Sequence, residues 1–170
     1  MNLNTDGTWI SSPVTLATGD EIVLRLASDD SKVYGGVCSS IDASFAVGQG
    51  KDRIKAPKNG TYVIVYNPKD ETASISTEFY GIVGDNITED FMMYMGEGAW
   101  LAADKYYQGK WQVRKGADNA VTFGGSFDTN NYFTAVQGGK MMQCPSGYGG
   151  FCVVFNIKDE LFLITQTTMY

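Results

Sequence analysis

Four residues stand out for the chemistry their types allow: Trp9 and Trp100, and Arg25 and Arg114. Each tryptophan lies just before an extended stretch that leads into a strand bearing one of the arginines. An indole offers a flat π face on which the C–H face of a pyranose ring can stack. A guanidinium offers five donors in a fixed fork, suited to paired sugar hydroxyls or to a carboxylate. The plainer alternatives are a tryptophan that closes the end of a core, and an arginine in a surface ion pair with Asp29 or Asp118. The loops after the arginines add further candidate ligand contacts: Lys32 and Tyr34 after Arg25, Asn119 and Phe123 after Arg114. Of the three tryptophans, Trp111 is expected inside, because it alternates onto the face of Val113, and Trp100 is expected to be the most accessible.

Other chemistry is narrowed by what the chain lacks. It contains no histidine, so no Ser-His-Asp or Cys-His arrangement exists and the common histidine-containing zinc sites are excluded. Three cysteines are too few for a four-cysteine zinc site. Cys144 and Cys152 flank a Gly-containing turn and could face each other across a hairpin, but the matching positions Lys55 and Val63 argue instead for free thiols. Asp85, Glu89 and Asp90 lack the ligand spacing of a calcium loop and read as solvated turn residues. Gly147-Tyr-Gly-Gly150 does not open a helix and so is a poor phosphate cradle. Neither metal nor cofactor is expected. Carboxylate-pair glycoside hydrolysis is left as the one enzymatic reading, without a conspicuous acid pair to carry it.

The matched positions belong to an internal repeat. Sliding the sequence until Arg25 falls on Arg114 also superposes Asp29 on Asp118, Gly35-Gly36 on Gly124-Gly125, and Ala46-Val47 on Ala135-Val136. Gly50-Lys51 then falls on Gly139-Lys140, Asn67 on Asn156, and Lys69-Asp-Glu71 on Lys158-Asp-Glu160. About fifteen positions are identical between residues 25 and 75 without a gap, against about three for unrelated chains of average composition. Each copy reads as β. Thr61–Tyr66 and Gly150–Phe155 are short β-branched and aromatic runs, followed by turn signals and closing strands at Ser74–Ser76 and Leu161–Ile164. The Gly-Gly pairs mark a bulge or sharp bend. No stretch sustains a helical period over three turns.

These features predict an all-β chain of two tandem β-sandwich domains, immunoglobulin-like or carbohydrate-binding-module-like, from an internal duplication, over residues 1–78 and 79–170. The counterpart of the strand that opens the second copy, Phe79–Asp85, would lie before Met1 in the first, so either upstream sequence was removed or that sheet edge is filled by something else. The composition agrees: 44% hydrophobic, 20 glycines, only 4 prolines and 13% aromatic residues suit strands and tight turns. The formal charge of -6 repels phosphate backbones, so no nucleic-acid partner is expected. No run approaches the roughly 18 apolar residues that span a bilayer. The polar start Met1–Gly7 is not a signal peptide, which leaves a cytosolic protein or a trimmed piece of an exported one.

The order Tyr80-Gly-Ile-Val-Gly-Asp85, Gly98-Ala-Trp100, Gly109-Lys-Trp-Gln-Val-Arg114, Phe123-Gly-Gly125 and Gly149-Gly-Phe-Cys-Val-Val-Phe-Asn156 resembles the tandem glycan-binding domains of SusE/SusF-like surface lipoproteins of the Bacteroidetes starch-utilisation system. The resemblance covers nearly the whole chain through short motifs. It implies sugar contacts at Trp100 and Arg114 and at Trp9 and Arg25, and an outer-membrane, cell-surface location through a lipid anchor on an N-terminal cysteine not visible in this sequence. The chain departs from the family in one place. A further tryptophan expected between the arginine strand and the Gly-Gly turn is missing from Ser28–Val33 and from Ala117–Thr122, which weakens the expectation of starch binding and leaves open that one or both copies are spacers. The leading expectation is a non-catalytic polysaccharide-binding protein, starch or another α-glucan being the candidate ligand, accessory to a glycan uptake system. The alternative is a structural or protein-interaction module of a surface assembly, its first copy completed by an added strand.

Overall fold

Tyr62, Ile64 and Tyr66 alternate with Val63 and Val65 along one strand, and the same two-residue period organises every layer of the structure. The computed structural model describes residues 1–26, 28–85, 87–105, 109–117, 121–127, 131–143 and 150–166, with main chain only at 26, 30, 88, 89, 104 and 105. It is all-β, and among the described residues no helix is long and apolar enough to cross a membrane. The chain divides into two compact units, Met1–Glu78 and Phe79–Tyr170.

Unit 1 contains β1 (Asn2–Leu3), β2 (Trp9–Ile10), β3 (Val14–Leu16), β4 (Glu21–Ile22), β5 (Leu24–Leu26), β6 (Asp29–Gly36), β7 (Ser44–Gln49), β8 (Ile54–Lys55), β9 (Gly60–Asn67) and β10 (Thr72–Ser76). The strands hydrogen-bond in the order β1-β2-β9-β10-β7-β6-β5, with β3 on β9 and β4 on β8. β7 turns the corner between two layers: Ser44–Ala46 pair with β10, while Val47–Gln49 pair with β6. Leu24, Val47, Ile54, Tyr62, Ile64 and Ile75 form the buried core between the layers.

Unit 2 contains β11 (Tyr80–Gly84), β12 (Ile87–Phe91), β13 (Met93–Gly96), β14 (Ala99–Lys105), β15 (Lys110–Lys115), β16 (Thr122–Gly124), β17 (Tyr132–Thr134), β18 (Val136–Gln137), β19 (Met142–Gln143), β20 (Phe151–Asn156) and β21 (Leu161–Gln166). One sheet runs β12-β11-β15-β16-β18 with β19 on β15; the other runs β13-β14-β20-β21-β17. Rings meet between the sheets: Tyr80 of the first lies 5.1 Å from both Trp100 and Phe155 of the second.

The pairings of the two units correspond residue by residue. Ile75 opposes Ile64 as Ile164 opposes Val153, and Leu24 opposes Tyr34 as Val113 opposes Phe123. Trp9 opposes Tyr66 as Trp100 opposes Phe155. Both hairpins close alike: the Asn67 amide donates to Asp70 at 2.7 Å and the Asn156 amide to Asp159 at 2.8 Å, with Glu71 and Glu160 at φ of 51° and 53°. The ungapped superposition fails in one segment. Val47, not Ala46, holds the place of Ala135, because Val47 N–H donates to Glu71 O and Ala135 N–H to Glu160 O. Gly50 likewise matches Gly138, at φ of 73° and 68°. One residue fewer in the second connection produces this slip, and burial enforces it, since a strand shifted by one turns its apolar set outward.

The Gly-Gly pairs serve close backbone approach more than a bend. A methyl group at Gly35 would overlap the carbonyl oxygen of Asp52, and one at Gly124 that of Lys140. The next N–H in each pair completes the contact, Gly36 to Asp52 O at 2.9 Å and Gly125 to Lys140 O at 3.0 Å.

Among the described residues β11 has no counterpart in unit 1. In unit 2 it pairs along β15 from Tyr80↔Lys115 to Gly84↔Trp111. Among the described residues nothing pairs with the equivalent side of β4 and β5.

Candidate functional site

The aromatic mouth of unit 1 arises from strand alternation. Tyr66 follows Tyr62 and Ile64 onto the core-facing side of β9, and Trp9 lies directly opposite it on β2. Tyr34 comes from β6 in the other layer; its ring centroid is 6.3 Å from that of Tyr66, tilted by 41°. In unit 2 the corresponding rings are Trp100, Phe155 and Phe123, and all three pack on Tyr80, at 5.1, 5.1 and 6.2 Å. The consequence for exposure is large. Trp100 is 3% exposed and Phe155 is fully buried, whereas Trp9 is 36% exposed and Tyr34 and Tyr66 are half-buried. Leu3, opposite Trp9, is also exposed, as is Val23 between β4 and β5. The mouth is therefore a row of core-type rings without the strand that seals them in the other unit.

Burial raises the Tyr66 phenol above its ordinary pKa, and neighbouring Tyr34 and the Glu71 carboxylate push the same way, because each disfavours a further negative charge. The mouth presents two phenols and an indole, an apolar surface with hydroxyl tips.

The expected pairing of indole and guanidinium does not form in either unit. Arg25 neighbours buried Leu24 on β5, so it projects to the outer face, away from Tyr34 and Trp9. Arg114 likewise opposes Gly81 and Thr122 on the outer face of its sheet, where Nη1 donates to Ala117 O at 3.3 Å. Trp100 is a correction: it is the sealed tryptophan and Trp9 the accessible one. The turn Gly96–Gly98, all at positive φ, ends before Trp100, so the residue lies within β14 facing inward between Tyr80 and Tyr94. Phe123, 5% exposed, is also a core residue under Tyr80. Trp111 is fully buried, as its alternation with Val113 indicates. Lys32 is exposed, its Nζ 3.7 Å from Asp29, whose carboxylate is held below its usual pKa chiefly by the Ser31 hydroxyl and N–H. Asn119 and Asp118 lie outside the described residues, and so does a Cys144–Cys152 pair through Cys144. Cys38 is half-buried, and burial pushes its thiol pKa up.

Of the predicted site residues, the structure brings Trp9 and Tyr34 to one place, joined by Tyr66. Sequence reasoning missed Tyr66 as a site residue, although the alternation in Thr61–Tyr66 carries it to the face of Tyr62. It also missed Tyr80, which packs on all three rings of unit 2. Asp85 has a structural role: its N–H donates to Lys110 O at 2.9 Å and its carboxylate accepts from Lys110 N–H at 3.1 Å, fastening β11 to β15. Among the described residues no three histidine, cysteine, aspartate or glutamate side chains gather into a cation site. A cleft in unit 2 is lined by Gly125, Ser126, Phe133, Thr134, Val136 and Lys140. No family model matches the chain, and no curated protein matches it.

Proposed function

We propose that this chain is a non-catalytic interaction module: two β-sandwich domains from a duplication, the first of which is completed by a partner. The observation that carries this reading is that, among the described residues, no strand pairs with one edge of Glu21–Leu26, beside the exposed Trp9 and the half-buried Tyr34 and Tyr66. An edge strand with unpaired N–H and C=O groups next to uncovered apolar rings is suited to strand addition. The resemblance to SusE/SusF-like lipoproteins supports a place in a surface assembly at the outer membrane, accessory to glycan uptake. Light scattering on the chain alone and after mixing with extended peptides tests the reading. Peptide-dependent quenching of Trp9 is the expected result; a chain that stays monomeric and ignores every peptide argues against it.

A second reading rests on the indole itself. Trp9, with Tyr34 and Tyr66 near it, offers an aromatic surface of the kind on which pyranose rings of starch or another α-glucan stack. Affinity electrophoresis against a panel of polysaccharides tests it, with Trp9→Ala as control. Retardation lost in that variant favours a glycan; no retardation by any polymer removes this reading.

A further inference from the structure

We infer that the Glu21–Leu26 edge of unit 1 binds an extended strand of a partner polypeptide with the pattern aromatic-Gly-aliphatic-aliphatic-Gly-acid. The inference rests on the interaction reading above and adds the partner's chemistry and register. Unit 2 supplies the template. On β15, Gly81 of β11 opposes Arg114, Ile82 opposes Val113, Val83 opposes Gln112 and Gly84 opposes Trp111. Through the matched ladders, Arg114 corresponds to Arg25, Val113 to Leu24 and Trp111 to Ile22. The incoming strand therefore runs antiparallel to β4 and β5, with its first glycine opposite Arg25 and its first aliphatic residue opposite Leu24. Its second glycine lies opposite Ile22 and its acid fastens to the backbone of Glu21, as Asp85 does to Lys110.

Each position has a physical reason. The aromatic and the first aliphatic residue face inward, as Tyr80 and Ile82 do at 0% exposure. The aromatic ring then covers Trp9, Tyr34 and Tyr66, as Tyr80 covers Trp100, Phe123 and Phe155. The second glycine is required because a methyl group at Gly84 would overlap Lys110 O and crowd the Cα and Cβ of Trp111. A second copy of this chain is a poor donor. Its own β11 is paired on both sides, to β15 and β12, with Tyr80 and Ile82 in the core, so giving it up would open unit 2.

The test uses the full chain and a synthetic peptide reading Glu-Phe-Tyr-Gly-Ile-Val-Gly-Asp-Asn. Amide hydrogen exchange and Trp9 emission are followed during titration. Slowed exchange confined to Glu21–Leu26 and its flanks, with a blue shift of Trp9, is expected. A peptide with serine in place of the tyrosine should bind about tenfold more weakly or worse. Val23→Pro, which removes an edge N–H, should abolish binding with the β-sheet circular dichroism unchanged; the peptide variant gives the same information if that protein misfolds. Equal binding by the serine peptide, or protection elsewhere, overturns the inference. So does a dimer in which β11 loses its protection, which would make a second copy the donor. If an unrelated β-strand peptide protects Glu21–Leu26 equally well, the pattern fails and the interaction reading stands. If no strand of any sequence protects that edge, both fail.

Discussion

Trp9 and Trp100 occupy corresponding places in their ladders yet differ in exposure, 36% against 3%, because Trp100 is packed between two phenols, Tyr80 and Tyr94, while Trp9 lies opposite the exposed Leu3. Where Tyr80 is present the indole is sealed; where no such ring arrives it meets solvent. Tyr66, opposite Trp9, is half-buried. Its phenol is raised above the ordinary 10.0 by burial, then by Tyr34 and Glu71. The folded chain therefore holds that proton more tightly than the unfolded chain does. The linked stability is complete below the unfolded value and is lost as pH rises through the folded one. Tyr66→Phe should flatten the fall in denaturation free energy between about pH 9 and 11 relative to the parent chain. Urea melts at those two pH values measure it; an unchanged slope means that the phenol titrates alike in both states.

At the scale of the element, the corner strand β7 and its counterparts β17 and β18 depend on glycine at the crossing. Gly35→Ala would drive a methyl group into the Asp52 carbonyl, and backbone cannot yield as a side chain does. A loss of about 2–4 kcal/mol is expected. Gly48→Ala meets only the flexible stem of Lys51, and about 1 kcal/mol or less is expected. Denaturation midpoints of the two variants decide the matter, and equal losses would mean that the approach at Gly35 is not tight. The hairpins were readable in advance, because Asn67-Pro-Lys-Asp-Glu71 and Asn156-Ile-Lys-Asp-Glu160 carry the same local bonds in sequence and in structure. The slip between Val47 and Ala135 was not. An ungapped match rewards identity at Ala46-Val47 and Ala135-Val136, while the fold rewards the residue whose N–H meets Glu71 or Glu160.

For the whole molecule, unit 2 buries Phe79, Tyr80 and Ile82, and among the described residues of unit 1 no strand stands in their place. Large aromatic side chains dominate a core's stabilisation, so the two units should not be equally stable. Hydrogen exchange at rising urea should show unit 1 opening before unit 2. Tyr80→Ala should lower the second step by about 3–5 kcal/mol and leave the first nearly unchanged. A single cooperative step for all amides would contradict this ordering. Docking of a strand on unit 1 should raise the first step selectively, by mass action.

Alternation of apolar and polar residues, glycine and asparagine at turns, and the matched motifs sufficed to predict strands, their hairpins and a break near residue 78, because each rests on forces acting within a few residues. Whether an indole is a surface or a core group depends on a strand distant along the chain, and whether an arginine joins it depends on which face of which layer each occupies. Those are long-range choices of pairing and register. Only the assembled sheets, with Tyr80 over one set of rings and, among the described residues, no strand paired along the matching edge of the other unit, decided them.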